Sequence, residues 1–288
     1  MHLNFIKNTV LLFVLTLLSC RNNSNSQSLV SNKSAVILGA QQTEYYLPIL
    51  KNKNIGIVAN QTSVIFKTTG STHLVDSLLS LNINVKKVFA PEHGFRGTAD
   101  AGEYVTDGID AGSGIPIVSL YGANKIPDAA ILSDLEVVIF DIQDVGARFY
   151  TFLSTLHYMM ETCAKLGITV LVLDRPNPNG HYVDGPTLDL NHSSFVGVHP
   201  VPVVHGMTVG EYAQMINGEG WLKEGLKCDL KVIPIRNYTH STTYQLPINP
   251  SPNLPNSKAI NLYPSLCFFE GTNMSMGRGT ENQFQVIG

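Results

Sequence analysis

Charge is scarce in this 288-residue chain, where 19 Lys and Arg stand against 22 Asp and Glu for a net of −3. A balance so near neutrality gives no basic footprint and no acidic tail, so no nucleic-acid partner is expected. Glycine-rich nucleotide motifs are missing too. No G-x-G-x-x-G follows the first apolar strand candidate, and no G-x-x-x-x-G-K-[ST] loop occurs, so no nucleotide cofactor is expected. There is no G-x-S-x-G nucleophile elbow. Cysteine is limited to four residues, and Cys163, Cys228 and Cys267 lack metal-ligand spacing. His93, His181, His199 and His205 are equally scattered, so neither a metal site nor an essential disulfide is expected. Beyond the N-terminus, no segment is apolar for long enough to cross a bilayer.

What is present begins with an export signal. Lys7 precedes an apolar run over residues 10–18 that is interrupted by Thr16, which predicts a cleaved leader over residues 1–19. The run ends in Leu17-Leu18-Ser19-Cys20, which resembles the lipobox of bacterial lipoproteins. That resemblance implies acylation of Cys20 and a membrane-anchored protein of the cell envelope. Acyl chains contribute roughly 0.8 kcal/mol per buried CH₂, enough to hold a protein on a membrane without a spanning helix. An ordinary secreted protein with an incidental cysteine is the alternative. Arg21-Asn22-Asn23 offers no acidic signal after Cys20, so a periplasm-facing anchor is expected. Residues 20–34 are then a lipidated cysteine and a tether rich in Asn and Ser, too polar to bury a core.

From Asn54 onward, short apolar runs alternate with helical patterns. The strand candidates are Ile55-Gly56-Ile57-Val58-Ala59, residues 85–90, Ile117-Val118-Ser119-Leu120, Val137-Val138-Ile139-Phe140 and residues 168–173. Leu74, Val75, Leu78 and Leu79 share one helical face, and a long helix is expected over residues 150–166 with Cys163 on its core side. Near-continuous β-branched runs separated by helices predict an α/β fold with a parallel sheet buried on both faces. Thr208 and Glu211 have capping-box spacing, the preferred reading over a catalytic pair. After Trp221 the composition shifts to Pro, Asn and Ser. A catalytic domain over residues 35–205 and a smaller α+β subdomain over 206–288 are therefore expected. The chain's end in Phe284-Gln285-Val286-Ile287-Gly288 reads as a stop inside that subdomain.

In open α/β sheets, ligands bind beyond the carboxyl ends of the strands. Here those ends carry Asn60 and Gln61, then Pro91-Glu92-His93-Gly94-Phe95-Arg96-Gly97, then Tyr121-Gly122. The fourth and fifth carry Asp141-Ile142-Gln143-Asp144-Val145-Gly146-Ala147-Arg148 and Asp174-Arg175-Pro176-Asn177-Pro178-Asn179-Gly180. Amides, carboxylates, arginines and a histidine thus gather on one edge. Glu92 and His93 suit general acid–base work. Asp141 and Asp144 read either as second carboxylates or as a structural ion pair or helix cap. Asp174 and Arg175 read as substrate contacts or as a loop clamp. Residues 270–280, with Glu270 and Arg278, either close over the cleft or form a surface loop. The inventory fits hydrolysis of a polar, anionic substrate by carboxylate chemistry, of which glycoside cleavage is the best-known case.

These motifs, together with His205-Gly206-Met207-Thr208, resemble the NamZ-type exo-β-N-acetylmuramidases over residues 55–288. The resemblance implies a Rossmann-like N-terminal domain, a C-terminal auxiliary domain and an active site in the cleft between them. It implies release of N-acetylmuramic acid (MurNAc) from the non-reducing end of peptidoglycan-derived β-1,4 glycans during wall turnover, with the catalytic glutamate at Glu92. Expected catalytic residues are therefore Glu92, His93, Asp141 and Asp144. Expected substrate contacts are Asn60, Gln61, Arg96, Tyr121, Arg148, Asp174, Arg175, His205, Glu270 and Arg278. MurNAc differs from GlcNAc by a lactyl carboxylate, for which an arginine fork is the natural partner. Arg148, Arg96 and Arg278 are the candidates, in that order. A lipoprotein that binds wall sugars without cutting them would use the same scaffold. An amidase or esterase has no recognisable nucleophile here.

Overall fold

The apolar runs become strands whose side chains alternate between two cores. In chain order these are β1 (Ile55–Ala59), β2 (Val64–Phe66), β3 (Ser71–His73), β4 (Val85–Ala90), β5 (Gly108–Ile109), β6 (Pro116–Ser119), β7 (Val137–Asp141), β8 (Thr169–Leu173) and β9 (Leu230–Ile233). The computed structural model describes residues 35–97, 103 and 105–288, so the expected leader, Cys20 and the tether lie outside the described residues. Helices are α1 (Thr43–Leu50), α2 (Leu74–Ser80), α3 (Ala129–Leu132), α4 (Phe152–Leu166), α5 (Val209–Gly218) and α6 (Ser257–Leu266).

Seven strands form one sheet in the order β5-β6-β4-β1-β7-β8-β9, and β2 pairs with β3 as a separate hairpin. All neighbours in the large sheet are parallel except β5 on β6. Counted in chain order, the parallel strands run 3-2-1-4-5-6, the doubly wound Rossmann order. The direction of winding reverses between β1 and β7.

Period-two alternation decides which residue enters which core. Ile55, Ile57, Val137, Ile139, Leu171 and Leu173 pack under α1 and α2 with Tyr46, Leu50, Leu74 and Leu78. Val58, Val138, Phe140, Val170 and Val172 pack on the opposite face with α4, α5 and α6. Each such fully buried side chain contributes about 1.5–3 kcal/mol. A one-residue slip would exchange the two sets, so the register is strongly specified. Cys163 is buried on the core side of α4, as its helical spacing predicts.

The capping box at α5 forms as the spacing predicts. Thr208 Oγ1 accepts from the Glu211 amide at 3.2 Å, and Glu211 Oε2 accepts from the Thr208 amide at 2.8 Å. From α5 the chain returns to β9, which pairs in parallel with β8. The sheet therefore continues past the expected boundary between residues 205 and 206. β9 carries little signal in the sequence because it is a short edge strand, with Lys231 exposed and only Ile233 buried. After Ile233, the described residues contain α6 and a 3₁₀ turn (Cys267–Gly271) but no strand.

Candidate active site

A cavity of about 1020 Å³ opens beside the carboxyl ends of β4 and β6. Glu92 and His93 enter it from the turn after β4, Tyr121 from the loop after β6, and Arg148 to Phe152 from the segment leading into α4. Its remaining walls come from residues 188–197, 251–254 and 263–284, including Phe195, Phe268, Glu270 and Arg278. Two consecutive left-handed residues, His93 (φ 71°) and Gly94 (φ 78°), turn the chain sharply at the strand end. The turn is closed by the Gly94 amide donating to the Pro91 carbonyl at 3.0 Å. Left-handed geometry at a non-glycine residue such as His93 is costly, and such residues cluster at functional sites.

Glu92 is the meeting point of three strand-end loops. Thr151 Oγ1 donates to Glu92 Oε2 at 2.7 Å, and the Tyr121 hydroxyl also bonds to Glu92. Burial and the adjacent Glu92 push the Tyr121 hydroxyl up to about 12, so it stays a donor.

Of the residues expected at the site, the cavity brings together Glu92, His93, Tyr121, Arg148, Glu270 and Arg278. The others lie outside its lining, and each has a structural partner or a buried position. Asp141 accepts from Arg175 Nε at 2.6 Å and Nη2 at 2.9 Å, a bidentate pair with side chains 0% and 3% exposed. Asp174 caps α5, accepting from Thr208 Oγ1 and the Gly210 amide, both at 2.8 Å. Burial pushes the Asp174 carboxyl up to about 6 against those donors. Asn60 Oδ1 accepts from the Thr62 amide at 2.9 Å and from Thr62 Oγ1 at 2.6 Å. Gln61 donates to the carbonyls of Asn249 and Pro250, tethering the segment that leads to Ser251. Arg96 is held by Asp110 at 2.7 Å and 3.1 Å. Asp144 and His205 are buried with Asp144 Oδ2 3.8 Å from His205 Nε2, and desolvation pushes the carboxyl up to about 7 and the imidazole down to about 3.

The reversal of winding between β1 and β7 is the usual ligand crevice of such sheets. Here the protein's own side chains fill it. The Asp141–Arg175 pair sits beside Ser63 and Thr62, with Ser63 Oγ bonding to the Asp141 carbonyl and Thr62 Oγ1 accepting from the Gln143 amide at 3.0 Å. The loops after β7 and β8 then interlock. Gln143 Nε2 donates to the Pro176 carbonyl at 2.7 Å, and Asn179 Nδ2 to the Val145 carbonyl at 2.9 Å. Gly146 (φ 79°) is required at this joint, since a Cβ there would lie 2.2 Å from Asn177 Oδ1. The ligand space is displaced toward the β4 and β6 side.

The family model described as exo-β-N-acetylmuramidase NamZ, N-terminal, matches residues 55–258, and its C-terminal counterpart matches residues 261–288. The chain belongs to the NamZ family. The division between the two NamZ models falls at the start of α6, well after β9. Among its relatives is the peptidoglycan β-N-acetylmuramidase NamZ of Bacillus subtilis strain 168, 41% identical over 249 residues, which are 84% of this chain and 58% of that protein. The chain thus spans less than two thirds of that NamZ relative's length. Two crystal structures of DUF1343-family proteins from Bacteroides fragilis NCTC 9343 share the fold. One is 53% identical with a TM-score of 0.79, over 88% of this chain and 67% of that one. The other is 31% identical with a TM-score of 0.78, over 88% and 65%.

Three residues of this NamZ-family cavity, Thr151, Lys125 and Phe195, stand outside the motifs of the sequence. Thr151 lies just past the Asp141 to Arg148 motif, and Lys125 follows Tyr121-Gly122 in the loop after β6. Both therefore sat within reach of strand ends already singled out. Phe195 carried no signal, because residues 188–197 lack any periodic pattern. Arg148 lines the cavity, but its Nη1 donates to the carbonyls of Pro186 at 2.7 Å and Val201 at 2.6 Å. It fixes the wall that carries Phe195. Arg278 is ion-paired with Glu270. Among the described residues, no three His, Cys, Asp or Glu side chains converge as a metal site. Glu92 and Glu270 are the acids among the described residues that line the cavity, so the carboxyl chemistry available there belongs to them.

Proposed function

We propose that the chain acts as an exo-glycosidase that releases MurNAc from the non-reducing end of peptidoglycan-derived β-1,4 glycans. The observation that carries this reading is Glu92, a carboxyl gripped by Thr151 and Tyr121 in the wall of a large cavity lined with aromatic rings in a NamZ-family chain. The B. subtilis relative's name supplies the substrate class. Glu92 donates a proton to the departing glycosidic oxygen, the role a cavity-lining carboxyl fills in such hydrolases. Glu270 is then the second carboxyl, and its distance from Glu92 in the substrate complex decides between retention and inversion. Aromatic rings such as Phe149 and Phe268, which pack edge to face at 5.4 Å, offer apolar surface to sugar rings. The lipobox-like Leu17-Leu18-Ser19-Cys20 supports delivery to the envelope, where wall fragments are found.

A chromogenic β-MurNAc glycoside tests the proposal. Release of the chromophore, with little from the matching GlcNAc glycoside, is the expected result. Binding of MurNAc without release would overturn hydrolysis and leave a wall-sugar binder, and neither binding nor release would overturn both.

A further inference from the structure

MurNAc and GlcNAc differ by one lactyl carboxylate, so a selective cavity needs a cation that is not already neutralised. Three long cationic side chains line this one: Lys125, Arg148 and Arg278. Arg148 spends its Nη1 on two backbone carbonyls, and Arg278 is neutralised by Glu270. Lys125 differs from both. Its ammonium lies 4.7 Å from the centroid of the Phe195 ring and, among the described residues, makes neither an ion pair nor a hydrogen bond to the protein. A ring face attracts the ammonium without neutralising it, and leaves its N–H groups free for an anion.

The platform beneath Lys125 is fixed. Phe195 stacks on Tyr158 at 6.2 Å with 4° between the planes, leans on Tyr121 at 6.2 Å, and its carbonyl accepts from Ser154 Oγ at 2.6 Å. Tyr121 in turn bonds to Glu92. Lys125 therefore shares one aromatic shelf with the carboxyl proposed as the acid. On a pyranose ring the lactyl ether at C3 stands two ring carbons from the scissile bond at C1. Lys125 and Glu92 line the same cavity, so one bound sugar can face both.

We propose that Lys125 is the residue that recognises the lactyl carboxylate of MurNAc. The inference rests on the glycosidase reading above. One charge-assisted hydrogen bond at a half-buried site is equivalent to about a ten- to hundredfold preference.

The test compares the chain with Lys125→Met and Lys125→Arg. Two quantities are measured: kcat/KM on β-MurNAc and β-GlcNAc chromogenic glycosides, and calorimetric binding of the free sugars. Lys125→Met is expected to lower the MurNAc:GlcNAc ratio about ten- to hundredfold, chiefly through KM, and Lys125→Arg to restore most of it. An unchanged ratio in a Lys125→Met variant that still cleaves the MurNAc glycoside would overturn the assignment and leave the glycosidase reading standing. Lys125-dependent preference for MurNAc in binding, with no cleavage of either glycoside, would support the assignment and overturn hydrolysis. If the unmodified chain neither binds nor cleaves, both fall.

Discussion

Replacing Arg175 with methionine separates a structural ion pair from a catalytic one. Arg175 donates to both oxygens of Asp141, and its Nη2 reaches the Val64 carbonyl at 3.3 Å. Both side chains are sealed from water at the floor of the filled β1–β7 crevice. Methionine keeps the aliphatic bulk and leaves a buried carboxylate without its partner. Breaking such a pair costs about 3–5 kcal/mol, a large share of the roughly 5–15 kcal/mol that holds a native protein together. At about 2–4 °C per kcal/mol for a domain of this size, Tm should fall by roughly 6–20 °C. Adding Asp141→Asn to Arg175→Met removes the stranded charge and should regain at least half of the loss. Urea unfolding followed by far-ultraviolet circular dichroism gives the stabilities, and turnover per folded molecule gives the chemistry. A loss below about 1 kcal/mol in Arg175→Met would refute the structural account. So would an Asp141→Asn variant that stays stable yet loses turnover a hundredfold.

Asp144 gives a pH-dependent test. Burial raises its carboxyl to about 7, with His205, Tyr150 and Tyr212 as its titratable neighbours. A raised folded-state value means the folded state holds this proton more tightly than the unfolded chain does. Its contribution is full below about pH 4 and is lost as pH rises through 7. Asp144→Asn should therefore gain stability relative to the parent between about pH 5 and pH 8, read as urea midpoints, and a constant difference would contradict this. Arg148→Ala should loosen the 186–201 wall, lowering kcat/KM alike for MurNAc and GlcNAc glycosides and exposing that segment to proteolysis. A selective loss of MurNAc preference would instead make Arg148 the selector.

The sheet was legible because its strands are near-continuous runs of Val, Ile and Leu buried on two sides. The α5 cap was legible because a capping box is local. β9 was not, since a half-exposed edge strand has too few buried positions to stand out from a Pro- and Asn-rich surround. For the site, position at a strand end nominated Glu92, His93 and Tyr121, which line the cavity. The same rule also nominated Asn60, Asp141, Asp174 and Arg175, whose polar atoms bond to Thr62, to each other in the Asp141–Arg175 pair, and to the start of α5. Nothing in the sequence says that residues 34 apart, Asp141 and Arg175, satisfy each other. Likewise the commitment of Arg148 to the carbonyls of Pro186 and Val201 depends on a loop conformation that composition does not encode.

Glu92→Gln is the most direct test, because glutamine keeps the acceptor for Thr151 and the shape of the cavity while removing the transferable proton. With folding verified by circular dichroism, turnover of a β-MurNAc chromogenic glycoside should fall by about 10²–10⁴-fold, the range that general acid catalysis contributes. Binding of MurNAc should persist. Turnover within about threefold of the parent would contradict the assignment of Glu92 as the acid, and with it the central claim for this cavity.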